Sequence, residues 1–81
     1  MMNLNEMREN LETMQNGWYG RLSDITEKLE DMGIDHESIY ASREYVTFAT
    51  EDEDGEYVEV VLHLGGTEQT ITVAGIECDR F

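Results

Sequence analysis

Residues 45–64 leave the chain few folds to choose from. Apolar positions alternate on either side of Thr50-Glu51-Asp52-Glu53-Asp54-Gly55-Glu56, a segment with five carboxylates in six consecutive positions. On the first arm Val46 and Phe48 point one way and Tyr45, Thr47 and Ala49 the other. On the second arm Val58, Val60, Leu62 and Leu64 oppose Tyr57, Glu59, Val61 and His63. Alternation with period two marks a half-buried strand, and two such strands around a polar, Gly-containing loop read as a hairpin. The stretch therefore predicts an antiparallel hairpin with one apolar face and a densely charged tip.

The cover for that face lies upstream. Leu4, Met7, Leu11, Met14, Trp18, Leu22, Ile25, Leu29 and Met32 follow one another in steps of three or four, which at 100° per residue keeps them within about an 80° stripe. Asn3 with Glu6 resembles a capping box, and Gly33 suits the position just past a helix end. Against continuity stands Asn16-Gly17-Trp18-Tyr19-Gly20, because each interior glycine costs ~1 kcal/mol and Asn-Gly is a turn signal. The stripe keeps its phase across this segment, so the reading favours one long, bent helix over two helices broken near Gly17 and Gly20. A continuous helix would be roughly 44 Å long, whereas strands of six to eight residues span only ~20–27 Å. Its overhang would offer Met7, Met14 and Trp18 to a partner or a second copy.

Gly33 to Glu37 is expected to connect the layers. Ser38-Ile39-Tyr40-Ala41 can form a short first strand, with a tight turn at Arg43-Glu44. Gly65-Gly66 reads as a second hairpin turn, since glycine takes positive φ without steric cost. Residues 67–74 then form a strand with Ile71 and Val73 inward. Residues 76–81 either add an edge strand or pack Ile76 and Phe81 on the core. The expected fold is α+β, one domain over 1–81, with a helical layer in 1–33 packed on a three- to four-stranded antiparallel meander in 38–81. A chain of this length buries only about 60% of its unfolded surface, so dimerisation would help it.

Composition narrows function. The formal net charge is -14, and residues 34–81 alone carry twelve acids and two bases. Such a field repels nucleic acid and anionic lipid and attracts basic surfaces. Solubility or a high-salt cytoplasm would explain the same acidity. Disorder is opposed by a 40% hydrophobic content that is clearly patterned. No apolar run is long enough to span a membrane, the first residues lack a signal-peptide pattern, and the single Cys78 fits a reducing compartment. A cytoplasmic location is expected.

Chemistry finds little footing. His36, His63 and Cys78 are scattered, with no close ligand pair of the kind zinc sites use. Asp52 and Asp54 beside Gly55 lack the twelve-residue calcium-loop pattern. No nucleophile elbow, phosphate loop or dinucleotide fingerprint occurs, and with 19 carboxylates any acid–base pair is uninformative without a pocket that shifts a pKa. The expectation is a non-enzyme without cofactor or metal.

The acids themselves carry more information. Like charges crowded at Glu51, Asp52, Glu53, Asp54 and Glu56 repel one another, so the fold gains nothing evident from them. Glu6, Glu9 and Glu12 recur every third residue on the polar side of the helix, followed by Asp24, Glu27, Glu30 and Asp31. Neighbours three apart lie ~5–6 Å from each other, on the scale of phosphate spacing along a strand. Tyr40, Tyr45 and Tyr57 on the outer sheet face would add aromatic contact area.

In size, charge and compact α+β layout the chain resembles the small, acidic, phage-encoded inhibitors of bacterial defence, the anti-CRISPR and anti-restriction proteins that imitate DNA. The resemblance spans the whole chain and rests on no motif. It implies a non-enzymatic inhibitor that binds the basic nucleic-acid channel of a defence complex or nuclease. Glu51, Asp52, Glu53, Asp54 and Glu56 would stand in for phosphates, with Glu6, Glu9, Glu12, Glu27 and Glu30 as a second row. The alternative is a homodimeric adaptor that uses the Met7, Met14 and Trp18 stripe.

Overall fold

The computed structural model describes residues 4–15, 17–52, 54–67 and 69–78. Two helices, α1 (Leu4–Met14) and α2 (Leu22–Asp31), lie against one face of a five-stranded antiparallel sheet. The class is α+β as expected, but the sheet has five strands instead of three or four, because Trp18–Tyr19, within the expected helical layer, adds one at its edge. The long helix does not form.

Its break has a physical cause. After Met14 the Gly17 N–H donates to the Met14 carbonyl at 3.0 Å, closing the helix. A side chain at Gly17 would crowd that carbonyl and the Tyr19 ring. Trp18 and Tyr19 then run extended as β1, paired with Thr72 and Ile71. The spacing from Met14 through Trp18 to Leu22 therefore has no helical meaning. Within each helix the stripe does its expected work: Leu4, Met7, Leu11 and Met14 are buried on α1, Ile25 and Leu29 on α2. Two rods of ten or eleven residues, ~15–17 Å each, cover the sheet without the overhang that a single helix would leave.

Local signals set the ends of α2. The Asp24 carboxylate accepts the Arg21 N–H at 3.2 Å in the first turn. At the other end Gly33, with φ 92°, donates to the Glu30 carbonyl at 2.9 Å, and Ile34 donates to the Leu29 carbonyl at 3.3 Å. This is the Schellman arrangement, completed by the burial of both Leu29 and Ile34 in the core. Asn3, the expected cap of α1, lies outside the described residues. A 3-10 turn at His36–Ser38 follows, started by Asp35, whose carboxylate accepts the Glu37 N–H at 3.0 Å.

The sheet consists of β1, β2 (Tyr40–Ala41), β3 (Tyr45–Glu51), β4 (Tyr57–Gly66) and β5 (Ile71–Cys78), in the spatial order β1-β5-β4-β3-β2. The β3–β4 hairpin has the expected register: Val46 faces Leu62, Phe48 faces Val60 and Thr50 faces Val58. The Arg43-Glu44 turn is also present, with the Ser42 N–H bonded to the Tyr45 carbonyl at 2.9 Å.

The second hairpin differs from expectation. Gly65 and Gly66 belong to β4, paired with Thr72 and Ile71, and the connection to β5 is closed by the Thr67 N–H on the Thr70 carbonyl at 2.8 Å. Only Gly66 needs its positive φ of 105°. Further along, His63 pairs with Gly75 and Leu64 with Val73, so Ala74 is an extra residue and β5 changes parity there. Ile71 and Val73 face the core before the bulge, and Ile76 and Cys78 pack against it after. The bulge joins two expected segments into one eight-residue strand. Phe81 lies outside the described residues.

The core sits between helices and sheet and includes Met7, Leu11, Ile25, Leu29, Val46, Phe48, Val60, Leu62 and Val73, each contributing ~1.5–3 kcal/mol on full burial. Among the described residues no buried side-chain nitrogen or oxygen lacks a hydrogen-bond partner.

Candidate functional site

Asp52, Gly55 and Glu56 close the acidic hairpin through backbone hydrogen bonds. The Gly55 N–H donates to the Asp52 carbonyl at 3.0 Å, and the Asp52 N–H to the Glu56 carbonyl at 2.9 Å. Gly55 stands at φ 81°, the left-handed position that a turn-plus-bulge connection of this length requires. One oxygen of Asp52 accepts the N–H of Asp54 at 2.9 Å and that of Glu56 at 3.0 Å. Asp52 is half-buried as a result. It is a fold-forming residue of the tip, which corrects the expectation that the tip acids gain nothing locally. Glu51, Asp54 and Glu56 are exposed. Glu53 lies outside the described residues.

The helix acids are held elsewhere. Glu6, Glu9 and Glu12 are exposed on α1, and Glu27 and Glu30 on α2, on the polar sides of helices whose apolar stripes face the sheet. Glu12 pairs with Arg8 at 3.1 Å and Glu30 with His36 Nδ1 at 2.6 Å. Glu9 and Glu12 share a shallow groove with Asn5 and Arg8. Glu27 shares another with Trp18, Asp24, Lys28 and Asp31. The end of α2 and the hairpin meet in a cleft of about 270 Å³, where Gly33, Ile34 and Asp35 face Ala49, Glu51 and Tyr57. The acids thus occupy the helix side and one end of a molecule measuring 39 × 22 × 17 Å, instead of forming one row.

Met7 and Met14, the expected partner contacts, are 0% and 5% exposed within the chain's own core. Trp18 leaves the stripe at the helix break and is 66% exposed on β1.

Among the described residues, no helix lies on the opposite face of the sheet. Tyr45, Thr47, Ala49 and Glu51 of β3 project there, beside His63, Val61, Glu59 and Tyr57 of β4. Tyr40 is in register with Thr47, while Trp18, in register with Thr72 at the β1 edge, lines the groove beside α2. Of the large hydrophobics exposed among the described residues, Tyr40, Tyr45 and Tyr57 belong to this face. The Tyr40 and Tyr45 rings lie 6.0 Å apart. Its carboxylates are Glu51, Glu59 and Glu77, the last 3.2 Å from His63 Nε2. No Lys or Arg occurs between Arg43 and Arg80. Arg43 itself is turned to the Thr67 carbonyl and ties the two turns at that end of the sheet together.

Glu59 and Glu77 were absent from the sequence-derived site. Alternation already places Glu59 outward beside Tyr57, whereas Glu77 faces outward because of the bulge, which no local pattern marks.

Among the described residues no group of three or more His, Cys, Asp or Glu side chains is arranged to hold a metal ion. His36 and His63 each face a glutamate, and Cys78 is a half-buried free thiol. Burial raises the Tyr19 hydroxyl pKa above its ordinary value. No helix among the described residues is long and apolar enough to cross a membrane. No family model, curated protein or solved structure matches this chain.

Proposed function

We propose that this protein is a non-enzymatic inhibitor that occupies the basic nucleic-acid channel of a defence complex or nuclease, with carboxylates in place of phosphates. The observation that carries the reading is the charge of the β3–β4 hairpin. Glu51, Asp54 and Glu56 are exposed around a turn in which the Asp52 carboxylate accepts two backbone N–H bonds, in a stretch devoid of Lys and Arg. A backbone already closed into a turn reduces the ordering cost of binding, although the exposed side chains still lose rotamer freedom. Their field falls off within ~8 Å at physiological salt, so the contact must be close. Glu6, Glu9, Glu12, Glu27 and Glu30 on the helix side would meet a second wall of a channel that clasps its ligand.

The test is capture of partners from bacterial lysate at about 50 and 500 mM salt, followed by displacement with duplex DNA. The reading expects a nucleic-acid-binding complex that is released by both salt and DNA. It also expects loss of capture by the combined Glu51→Gln, Asp54→Asn and Glu56→Gln variant. A captured complex indifferent to DNA and to these substitutions overturns it.

A further inference from the structure

The geometry points to the uncovered sheet face as a docking surface for an extended, arginine-rich protein segment. This rests on the reading that the partner is basic, and names both the surface and the chemistry of the segment that lies on it.

The face is apolar enough to need a partner and charged enough to choose one. Along β4 the outward positions are Tyr57, Glu59, Val61 and His63, spaced ~6.6–7 Å apart. Glu51 lies opposite Tyr57, Glu77 opposite Val61 and Tyr45 opposite His63. Tyr57 and Glu59 are consecutive outward positions of β4, and Glu51 and Glu77 flank them on the neighbouring strands, so rings and carboxylates lie within the repeat of same-side residues in an extended chain. Tyr57 is 80% and Tyr40 60% exposed, unusual values for rings on a strand that could have carried polar side chains at no cost to the core. Each outward Glu sits next to an apolar contact, so a side chain with a flat face and a charged edge satisfies both. Guanidinium does this: it stacks on aromatic faces and bonds carboxylates in bidentate fashion, whereas ammonium is a compact, strongly hydrated point charge.

Charge rules out the two other occupants. Exposed aromatics on a sheet can stack unpaired bases, but that platform needs cations for the phosphates, and neither β3, β4 nor β5 contains a Lys or Arg. A second copy packed face to face would bring two sets of Glu51, Glu59 and Glu77 together with no Lys or Arg on β3, β4 or β5 to offset them, at a repulsive cost.

The test uses the intact protein and calorimetric titration with an arginine octapeptide, a lysine octapeptide and a short oligothymidylate. The arginine peptide is expected to bind about tenfold tighter than the lysine peptide, and the oligonucleotide not to bind. The Tyr40→Ser/Tyr57→Ser variant changes no charge and removes exposed rings only. It is expected to lose about tenfold in arginine-peptide affinity and to lose the arginine preference. Glu59→Gln/Glu77→Gln is expected to weaken binding more than Glu6→Gln/Glu9→Gln, which removes the same charge from the helix side. Equal affinity for the two peptides, an unaffected tyrosine variant, equal effects of the two charge pairs, or oligonucleotide binding overturns the inference. If the tyrosine variant still captures a DNA-displaceable complex from lysate, this inference fails and the proposed function stands. If the peptide preferences hold while wild type captures no such complex, the inhibitor reading fails alone.

Discussion

The carboxylate of Asp52 accepts the backbone N–H of Glu56 at 3.0 Å, so one acid of the hairpin tip builds the turn that presents the others. Asp52 is therefore separable by mutation from its neighbours. Asp52→Ala removes the acceptor of two N–H bonds and is expected to cost about 1–2 kcal/mol in urea unfolding, while Asp52→Asn keeps an acceptor oxygen and costs less. Asp54→Asn removes a like charge from a crowded turn and is expected to be neutral or slightly stabilising.

Gly66 and Gly55 both have positive φ but differ in their surroundings. A Cβ on Gly66 would stand 2.2 Å from the Thr70 carbonyl oxygen, whereas one on Gly55 meets nothing within 4 Å. Gly55→Ala is expected to cost about 1–2 kcal/mol from backbone strain alone. Gly66→Ala must also push Thr70 away, and its urea midpoint is expected to fall further than that of Gly55→Ala.

The helix stripe divides by burial. Met14→Ala is expected to destabilise by about 2–5 kcal/mol through a core cavity. Trp18→Ala, at the next position of the same three-four pattern, is expected to stay within about 0.5 kcal/mol, as surface substitutions do. Similar losses for both in thermal unfolding would contradict the helix break at Gly17.

Tyr19 gives the fold a pH limit. Its pKa is raised by burial, so its contribution to stability is fully present below the unfolded value of about 10 and is lost as pH rises through the folded value. Above pH ~10 wild type is expected to lose stability more steeply than Tyr19→Phe. Absorbance at the phenolate band should lose its most delayed component in the variant.

Much of the sheet was legible in residues 45–64 because strand alternation is a local code. Val46, Phe48, Val58, Val60 and Leu62 had to share a face, and the register Phe48 to Val60 follows once the loop between them is short. Gly33 was legible for a similar reason: a Schellman end needs only one left-handed residue and its neighbours. The outward tyrosines followed from the same alternation. For the candidate surface this sufficed to place Glu51, Glu59, Tyr45 and Tyr57, but not Glu77, whose direction is set by the bulge at Ala74 earlier in its own strand, which only the pairing with β4 reveals.

The helix break was ambiguous at residues 16–20 because its deciding partner is remote. Trp18 pairs with Thr72 and Tyr19 with Ile71, and a continuous hydrophobic phase carries no record of that pairing. The two glycines of residues 65–66 likewise permitted a turn without requiring one, and the pairing of Gly66 with Ile71 moved it beyond Gly66.

What the amino-acid sequence determined alone is a charged hairpin, an apolar stripe to cover it, and a strongly acidic composition. These depend on the composition and period of neighbouring residues. Tertiary structure decided that the stripe folds back as two helices, that Met7 and Met14 serve the core, that Trp18 reaches the sheet edge, and that Glu77 joins the open face. Each of those outcomes turns on hydrogen bonds or burial between residues far apart in the chain, whose free energy no local pattern contains.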